Sequence, residues 1–508
     1  MKAMNSPLPL TLCVTTDIHG TISATAYHDQ KVKPFGLSRY ATALTKLRQT
    51  KELLIIDNGD SLQGSPLLTL SHQLAQRPVI LAQVFNQLKV NYHNLGNHDF
   101  NYGIERLLHT IEDMDAPCLT SNVLYRGKAL GSSRIHITNS GLRLGLIGVC
   151  TDYVPHWERP ENIENVTFLD PVLSVDIEVQ RLRTQVDQII VCYHGGLERD
   201  LQSLEPTEHL TGENVGIQIA QLDGIDVLIT GHQHRSLIGK LGKTLITQST
   251  LNAQEFVQIE IDVKRMNTAQ LVNLRDFEID ESVEMLIDPL QKRTHVWLDQ
   301  SLGTLDQDLL ITDAFEARLH KHPLVSFINQ VQLDYSKADM SATALFNHPI
   351  GLKQTVTLRD LVSTYIYPNS LVVKEMTGSQ LKAYLEQTSI YFALKDNKII
   401  VNPLFDEPKP QHFNYDMLDG IEYGFKISNP IGQRLTHCRF KGQEIQDQDI
   451  FSVVMNNYRA VGGGNYAMIP ECKNLREYTE DVVDIISAYF KQHPYVSVSH
   501  QDNITIIP

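Results

Sequence analysis

In the first half of the chain, short apolar runs alternate with stretches of helical period. The runs L-T-L-C-V, L-L-I-I, I-I-V-C-Y and V-L-I-T read as strands, each ending in a polar turn. Residues 36–50 place Leu37, Tyr40, Ala41, Leu44 and Leu47 on one face of an amphipathic helix, which leads into a strand at 53–57. Further strands are expected at 144–149, 189–193, 227–230, 244–247 and 257–263. This alternation predicts a layered α/β domain over residues 1–279. Residues 280–300 are more polar and mixed, and read as a linker with helical character in which Pro289 starts or kinks a helix.

From residue 301 the texture changes. Helical pattern at 311–331, 357–365 and 379–388 precedes strand runs at 423–427, 450–454 and 504–507. Residues 301–508 therefore read as a second α/β domain. The Pro- and Asn-rich stretch 402–414 is a loop long enough to be functional. A chain of 508 residues is too long for one ordinary core, which agrees with two domains.

Composition narrows the class. Hydrophobic content of 42% and charged content of 20% are those of a soluble globular protein. A net charge of −15, with no Lys/Arg-rich block, argues against nucleic-acid polymers and membranes as partners. It does not argue against a small phosphate ester, because bound divalent ions dominate the field around them. The six cysteines are scattered without a C-x-x-C pair, and Cys13, Cys150 and Cys192 lie inside apolar runs as reduced, buried thiols do. No segment approaches the ~18 consecutive apolar residues of a membrane span. The N-terminus runs into the first strand without a convincing leader, so a cytoplasmic protein is expected.

The chemistry sits where the strands end. Five motifs carry it: T-T-D-I-H (Asp17, His19), D-N-G-D (Asp60), G-N-H-D (Asn97, His98, Asp99), C-Y-H-G-G (His194) and G-H-Q-H (His232, His234). Ligands of open α/β sheets bind beyond the carboxyl ends of the strands. Residues two apart in extended backbone point the same way, so D-x-H and H-x-H each aim two donors at one place. Taken singly, each motif reads equally well as a hydrogen-bonded turn. Together they bring imidazole, carboxylate and amide oxygen to one rim, the donor set of a two-metal site and of hydrolysis at phosphorus. His28, His72, His109, His136, His156 and His209 lack partners at ligand spacing, and His93 reads as packing behind the G-N-H-D turn.

These motifs, in this order, resemble the calcineurin-like metallophosphoesterases, specifically the two-domain 5′-nucleotidase family. The resemblance implies a first domain of two packed β-sheets flanked by helices and a C-terminal α/β nucleotide-binding domain. It implies two divalent ions (Mn, Zn, Fe or Co). Asp17, His19, Asp60 and His234 would hold one ion, while Asp60, Asn97, His194 and His232 would hold the other. Asp60 bridges, and His98 contacts the phosphoryl group and leaving oxygen. The segments at 367–374, 413–420 and 456–464 look like the family's nucleotide-binding domain, with Phe413 and Tyr458 gripping the base and Asn456 and Arg459 beside them. Base–aromatic contact of this kind contributes roughly 1–3 kcal/mol.

The chain departs from the family pattern at three places. Many 5′-nucleotidases place Asp three residues after the catalytic histidine, and here that position is Asn101. Asn fixes the ring without a full charge. The 2′,3′-cyclic-nucleotide 2′-phosphodiesterase/3′-nucleotidase branch is similar in having Asn there. G-G-G-N-Y at 462–466 lacks the carboxylate of G-G-D-G-Y, and Lys353 stands in for an expected arginine. The expected reaction is hydrolysis of 2′,3′-cyclic nucleotides and nucleoside monophosphates by in-line attack of a metal-bound hydroxide, with His98 and Asn101 as the catalytic pair. A cytoplasmic 5′-nucleotidase or UDP-sugar hydrolase is the rival within enzymes. A catalytically silent nucleotide-binding protein is the rival outside them.

Overall fold

The computed structural model describes residues 9–207, 210–365, 369–407, 409–478, 480–500 and 502–508; His209 and Tyr367 lie outside these. The chain divides into two compact units, residues 1–295 and 296–508.

The first unit is built on two sheets. Its strands are β1 (Leu10–Thr15), β2 (Glu52–Asp57), β3 (Tyr92–His93), β4 (Arg134–Ile137), β5 (Arg143–Cys150) and β6 (Gln188–His194). Then follow β7 (Val227–Ile229), β8 (Leu237–Leu241), β9 (Thr244–Gln248), β10 (Glu255–Glu260) and β11 (Thr268–Asn273). One sheet has the order β11-β10-β1-β2-β3, the other β8-β9-β7-β6-β5-β4. In the first sheet β1, β2 and β3 are parallel, with Thr15 opposite Asp57, while β10 and β11 are antiparallel additions beside β1. The second is parallel at its centre, with Cys150 opposite His194, and antiparallel at both edges.

Side-chain parity decides what each face covers. Leu12 and Val14 of β1, Leu54 and Ile56 of β2, Leu144 and Leu146 of β5, and Ile190 and Cys192 of β6 share one core, so the sheets pack face to face. The opposite parity, Ile147, Val149, Ile189, Val191 and Tyr193, packs under the helices Pro171–Leu182 and Gly216–Ala220. The resulting layers are those of two packed sheets flanked by helices.

The stretch expected as a partly helical linker is one helix, Glu281–Leu298, with Pro289 inside it, and the division between the units falls in its last turn. Its first turns are anchored to the first unit. Val283, Ile287 and Leu290 are buried, and Glu284 accepts from Ser23 Oγ (3.0 Å) and Ala24 N (3.2 Å).

The second unit centres on a five-stranded sheet of Asp416–Asp419, Met340–Ala344, Ile450–Asn456, Leu371–Thr377 and Lys473–Glu477, in that order. Helices Pro323–Ser336, Gly378–Ser389 and Val482–Gln492 contribute to the same core through Phe327, Tyr384 and Phe490. The strand expected at 504–507 is present and pairs in parallel with Glu422–Lys426. The stretch 402–414 carries two single 3₁₀ turns, Pro403–Phe405 and His412–Asn414.

Candidate metal centre

The five motifs follow the C-terminal ends of β1, β2, β3, β6 and β7. His194 has the parity of Ile190 and Cys192, so the last residue of β6 faces the gap between the sheets rather than the helices. The turns beyond the other strands are sharply bent. Asp17, His19, Asp60, His232 and His234 all have positive φ, between 46° and 70°. Left-handed backbone at a non-glycine residue costs on the order of 1–3 kcal/mol and gathers at functional sites.

Two turns lock against each other without room for a methyl group. A Cβ at Gly59 (φ +92°) would lie 2.4 Å from the Gly96 nitrogen, and one at Gly96 would lie 2.3 Å from Asp60 Oδ1. Asp99 clips the pair together: Oδ2 accepts from Gly96 N (2.8 Å) and Asp60 N (3.0 Å), while Oδ1 accepts from Ser61 N (2.9 Å) and Leu62 N (2.8 Å). The last residue of G-N-H-D is thus a structural brace. The backbone N–H of His98 donates to Asp60 Oδ1 at 2.7 Å.

The donor atoms form two triads, Asp17/His19/His234 and Asp60/His194/His232, with the atoms of each triad within 4.8 Å of one another. His19 Nε2 lies 3.1 Å from His234 Nε2, which lies 3.4 Å from Asp17 Oδ1. His194 Nε2 is 3.2 Å from Asp60 Oδ2, and Asn97 Oδ1 is 2.9 Å from His232 Nδ1. The far nitrogens are occupied by acceptors, which fixes the rings. His194 Nδ1 donates to the Asn58 carbonyl (2.7 Å), and His19 Nδ1 lies 3.2 Å from the Gln63 carbonyl. Metal-ligating histidines are held in this way.

Cations fit this donor set on two grounds. The buried Asp60 Oδ2 and His194 Nε2 lie 3.2 Å apart and have no hydrogen-bond partner beyond each other, as two ligand atoms converging on one ion would. The electrostatics also call for positive charge. Burial works against charging His194, but the Asp60 and Asp17 carboxylates outweigh it and push its pKa up to about 10. Burial likewise opposes ionisation of both carboxylates. At Asp17 it is overcome by the His234 bond and the charge of His194, and at Asp60 by His194 and His98, so both stay below the usual carboxylate range. Burial holds His19 below its ordinary value, in the neutral form that ligates.

Three nearby side chains were not singled out in the sequence. Glu213 Oε1 lies 2.7 Å from His232 Nε2. Glu158 Oε2 accepts from Asn101 Nδ2 at 2.5 Å, behind the 2.8 Å contact of Asn101 Oδ1 with His98 Nδ1. The Trp157 ring stacks on His232, with centroids 5.4 Å apart. All three lie in irregular loops, where no period marks them. His93 is buried behind the turn, its Nδ1 3.0 Å from the Ala116 carbonyl.

In the second unit, the half-buried rings of Phe413 and Tyr458 stand edge to face, 6.1 Å apart. Asn456 caps the short helix Asn457–Ala460 by accepting from Arg459 N at 2.7 Å. Arg459, expected beside the nucleotide, is 1% exposed and forks onto Asp416 (2.6 and 3.2 Å). It also donates to the Gly463 and Phe413 carbonyls, so its guanidinium is spent on holding the loops that present the two rings.

A two-sheet domain with acidic and imidazole triads at its strand ends defines the class, a metallophosphoesterase. Residues 10–236 match the calcineurin-like phosphoesterase family, and residues 301–471 match the 5′-nucleotidase C-terminal domain. A solved structure of a putative 5′-nucleotidase from Staphylococcus aureus, in complex with alpha-ketoglutarate, is 32% identical; it matches over 98% of this chain and all of that one, with a TM-score of 0.89. The 2′,3′-cyclic-nucleotide 2′-phosphodiesterase/3′-nucleotidase of Haemophilus influenzae is 25% identical over 91% of this chain and 81% of its own length. The trifunctional nucleotide phosphoesterase YfkN of Bacillus subtilis is 23% identical over 98% of this chain, which spans only 39% of that protein. The chain belongs to the two-domain 5′-nucleotidase family of calcineurin-like metallophosphoesterases. It is a hydrolase of phosphoric esters. Among the described residues, no helix is long and apolar enough to cross a membrane.

Proposed function

We propose that this protein hydrolyses 2′,3′-cyclic nucleotides and nucleoside monophosphates at a dinuclear metal centre. The observation that carries the reading is the pair of convergent triads, in which Asp60 Oδ2 and His194 Nε2 are buried, 3.2 Å apart and without a partner beyond each other. Asp17, His19, Asp60 and His234 would hold one ion, with Asp60, Asn97, His194 and His232 holding the other. When bound, the ions supply charge neutralisation at the phosphate and acidify water. The chain's own residues do the rest. His98, half-buried at the rim, donates through Nδ1 to Asn101 and so directs Nε2 toward the phosphoryl and leaving oxygens. Phe413 and Tyr458 offer ring faces to the base.

The cyclic-nucleotide preference is supported by the similarity to the Haemophilus influenzae enzyme and by Asn101 in place of Asp. Preference for 5′-nucleotides is the second reading, favoured by the higher identity to the Staphylococcus aureus protein. A cytoplasmic setting is part of the proposal, supported by six buried cysteines that form no disulfide. The test is kcat/KM with Mn²⁺ for 2′,3′-cyclic AMP, 3′-AMP, 5′-AMP and UDP-glucose. Highest values for the first two support the proposal. Highest values for 5′-AMP or UDP-glucose replace it with the second reading.

A further inference from the structure

Asn101 looks like a weaker substitute for aspartate until its other side is considered. Its amide is held between an imidazole and a carboxylate: Oδ1 is 2.8 Å from His98 Nδ1, and Nδ2 is 2.5 Å from Glu158 Oε2. An ionised carboxylate only accepts hydrogen bonds. It therefore fixes which end of the Asn101 amide is nitrogen, and the oxygen must face the histidine. His98 Nδ1 must then carry the hydrogen, and Nε2 is the nitrogen turned to the reaction. The other carboxylate oxygen is anchored too, because Glu158 Oε1 accepts from Asn162 Nδ2 (2.8 Å) and from Arg159 N (2.8 Å). Asn162 cannot turn over freely, since the same Nδ2 donates to the Asn101 carbonyl at 2.9 Å.

We propose that Glu158 is a positioning residue which, through Asn101, locks the tautomer and orientation of His98. The negative charge that many 5′-nucleotidases place next to the histidine is here one residue further out. The carboxylate comes from the loop after β5, and the amide relays it.

The inference rests on the reading of His98 as the group facing the leaving oxygen, and its consequences are specific. In Glu158→Gln, the side-chain oxygen stays with Asn162 and Arg159, and the new NH₂ meets Asn101 Nδ2. Two donors cannot pair, so Asn101 turns over, presents its NH₂ to His98 Nδ1, and moves the ring hydrogen to Nε2. In Asn101→Asp, two carboxylates face each other. In the double variant Asn101→Asp/Glu158→Gln, every contact is restored, with the introduced carboxylate accepting from both His98 and the new amide.

The experiment is ¹⁵N NMR of the His98 ring in the full-length, metal-loaded protein, beside steady-state kinetics of all four forms. Expected are an Nδ1–H ring in wild type and double variant, and an Nε2–H ring in Glu158→Gln. On the preferred substrate, kcat falls ~10²–10⁴-fold in each single variant with KM little changed, and the double variant recovers most of the loss. An unchanged tautomer and kcat in a folded Glu158→Gln, or a double variant no better than the worse single, overturns the proposal. A wild type inactive on every substrate would instead reject the functional reading, and the ring tautomer would still test the lock.

Discussion

At the scale of single residues, the site is a set of rings held by acceptors and carboxylates held by N–H and O–H donors. Asp17, His19, Asp60, His194, His232 and His234 were legible in the sequence because metal chemistry restricts residue types and strand ends restrict place. Glu158 and Glu213 were not, since a carboxylate in an irregular loop has no pattern until the fold brings it to its partner. Glu213, 2.7 Å from His232 Nε2, braces the ring whose Nδ1 points inward. Glu213→Gln is expected to weaken metal affinity by roughly 10–100-fold, measured by competition with a chelator dye. Arg459 is a motif residue that lies inside, 1% exposed and paired with Asp416. Removing it leaves the buried Asp416 carboxylate without its counter-charge, so Arg459→Ala should lower stability by about 3–5 kcal/mol in urea denaturation. Unchanged stability with a raised KM would restore its ligand role.

At the scale of elements, the strands were the legible part. The apolar runs before Asp17, Asp57, His194 and His232 are β1, β2, β6 and β7, because period and length settle a buried strand. β3 is two residues long and held by Asp57 and Pro117 backbone, too short for any pattern to mark. The linker reading also lost detail: polar residues at 280–298 hid a continuous helix whose buried stripe is Val283, Ile287 and Leu290. What makes the elements into a site is the contact between turns, where Gly59 leaves no space above Gly96. Gly59→Ala should therefore cost about 2–5 kcal/mol in denaturation, from left-handed backbone and overpacking together. A cost below about 1 kcal/mol would mean that the turns do not depend on each other.

At the scale of the whole molecule, two units have separate cores: the first contains the candidate metal ligands, and the second contains the Phe413–Tyr458 ring pair. Metal removal should then act on one unit alone. Ions at 100 times their dissociation constant stabilise the folded state by about 2.7 kcal/mol per site. Calorimetry with excess chelator is expected to lower the transition of the first unit and leave that of the second in place. Equal shifts in both would show a single cooperative block. The central claim is that two ions act together through Asp60. Activity should be followed while Mn²⁺ is added to metal-free protein, with bound metal counted per chain, for wild type and Asp60→Asn. Turnover that rises only as the second equivalent binds, and that is lost by ~10³-fold in Asp60→Asn, is the predicted result. Full turnover with one ion, or a variant as active as wild type, would contradict the account.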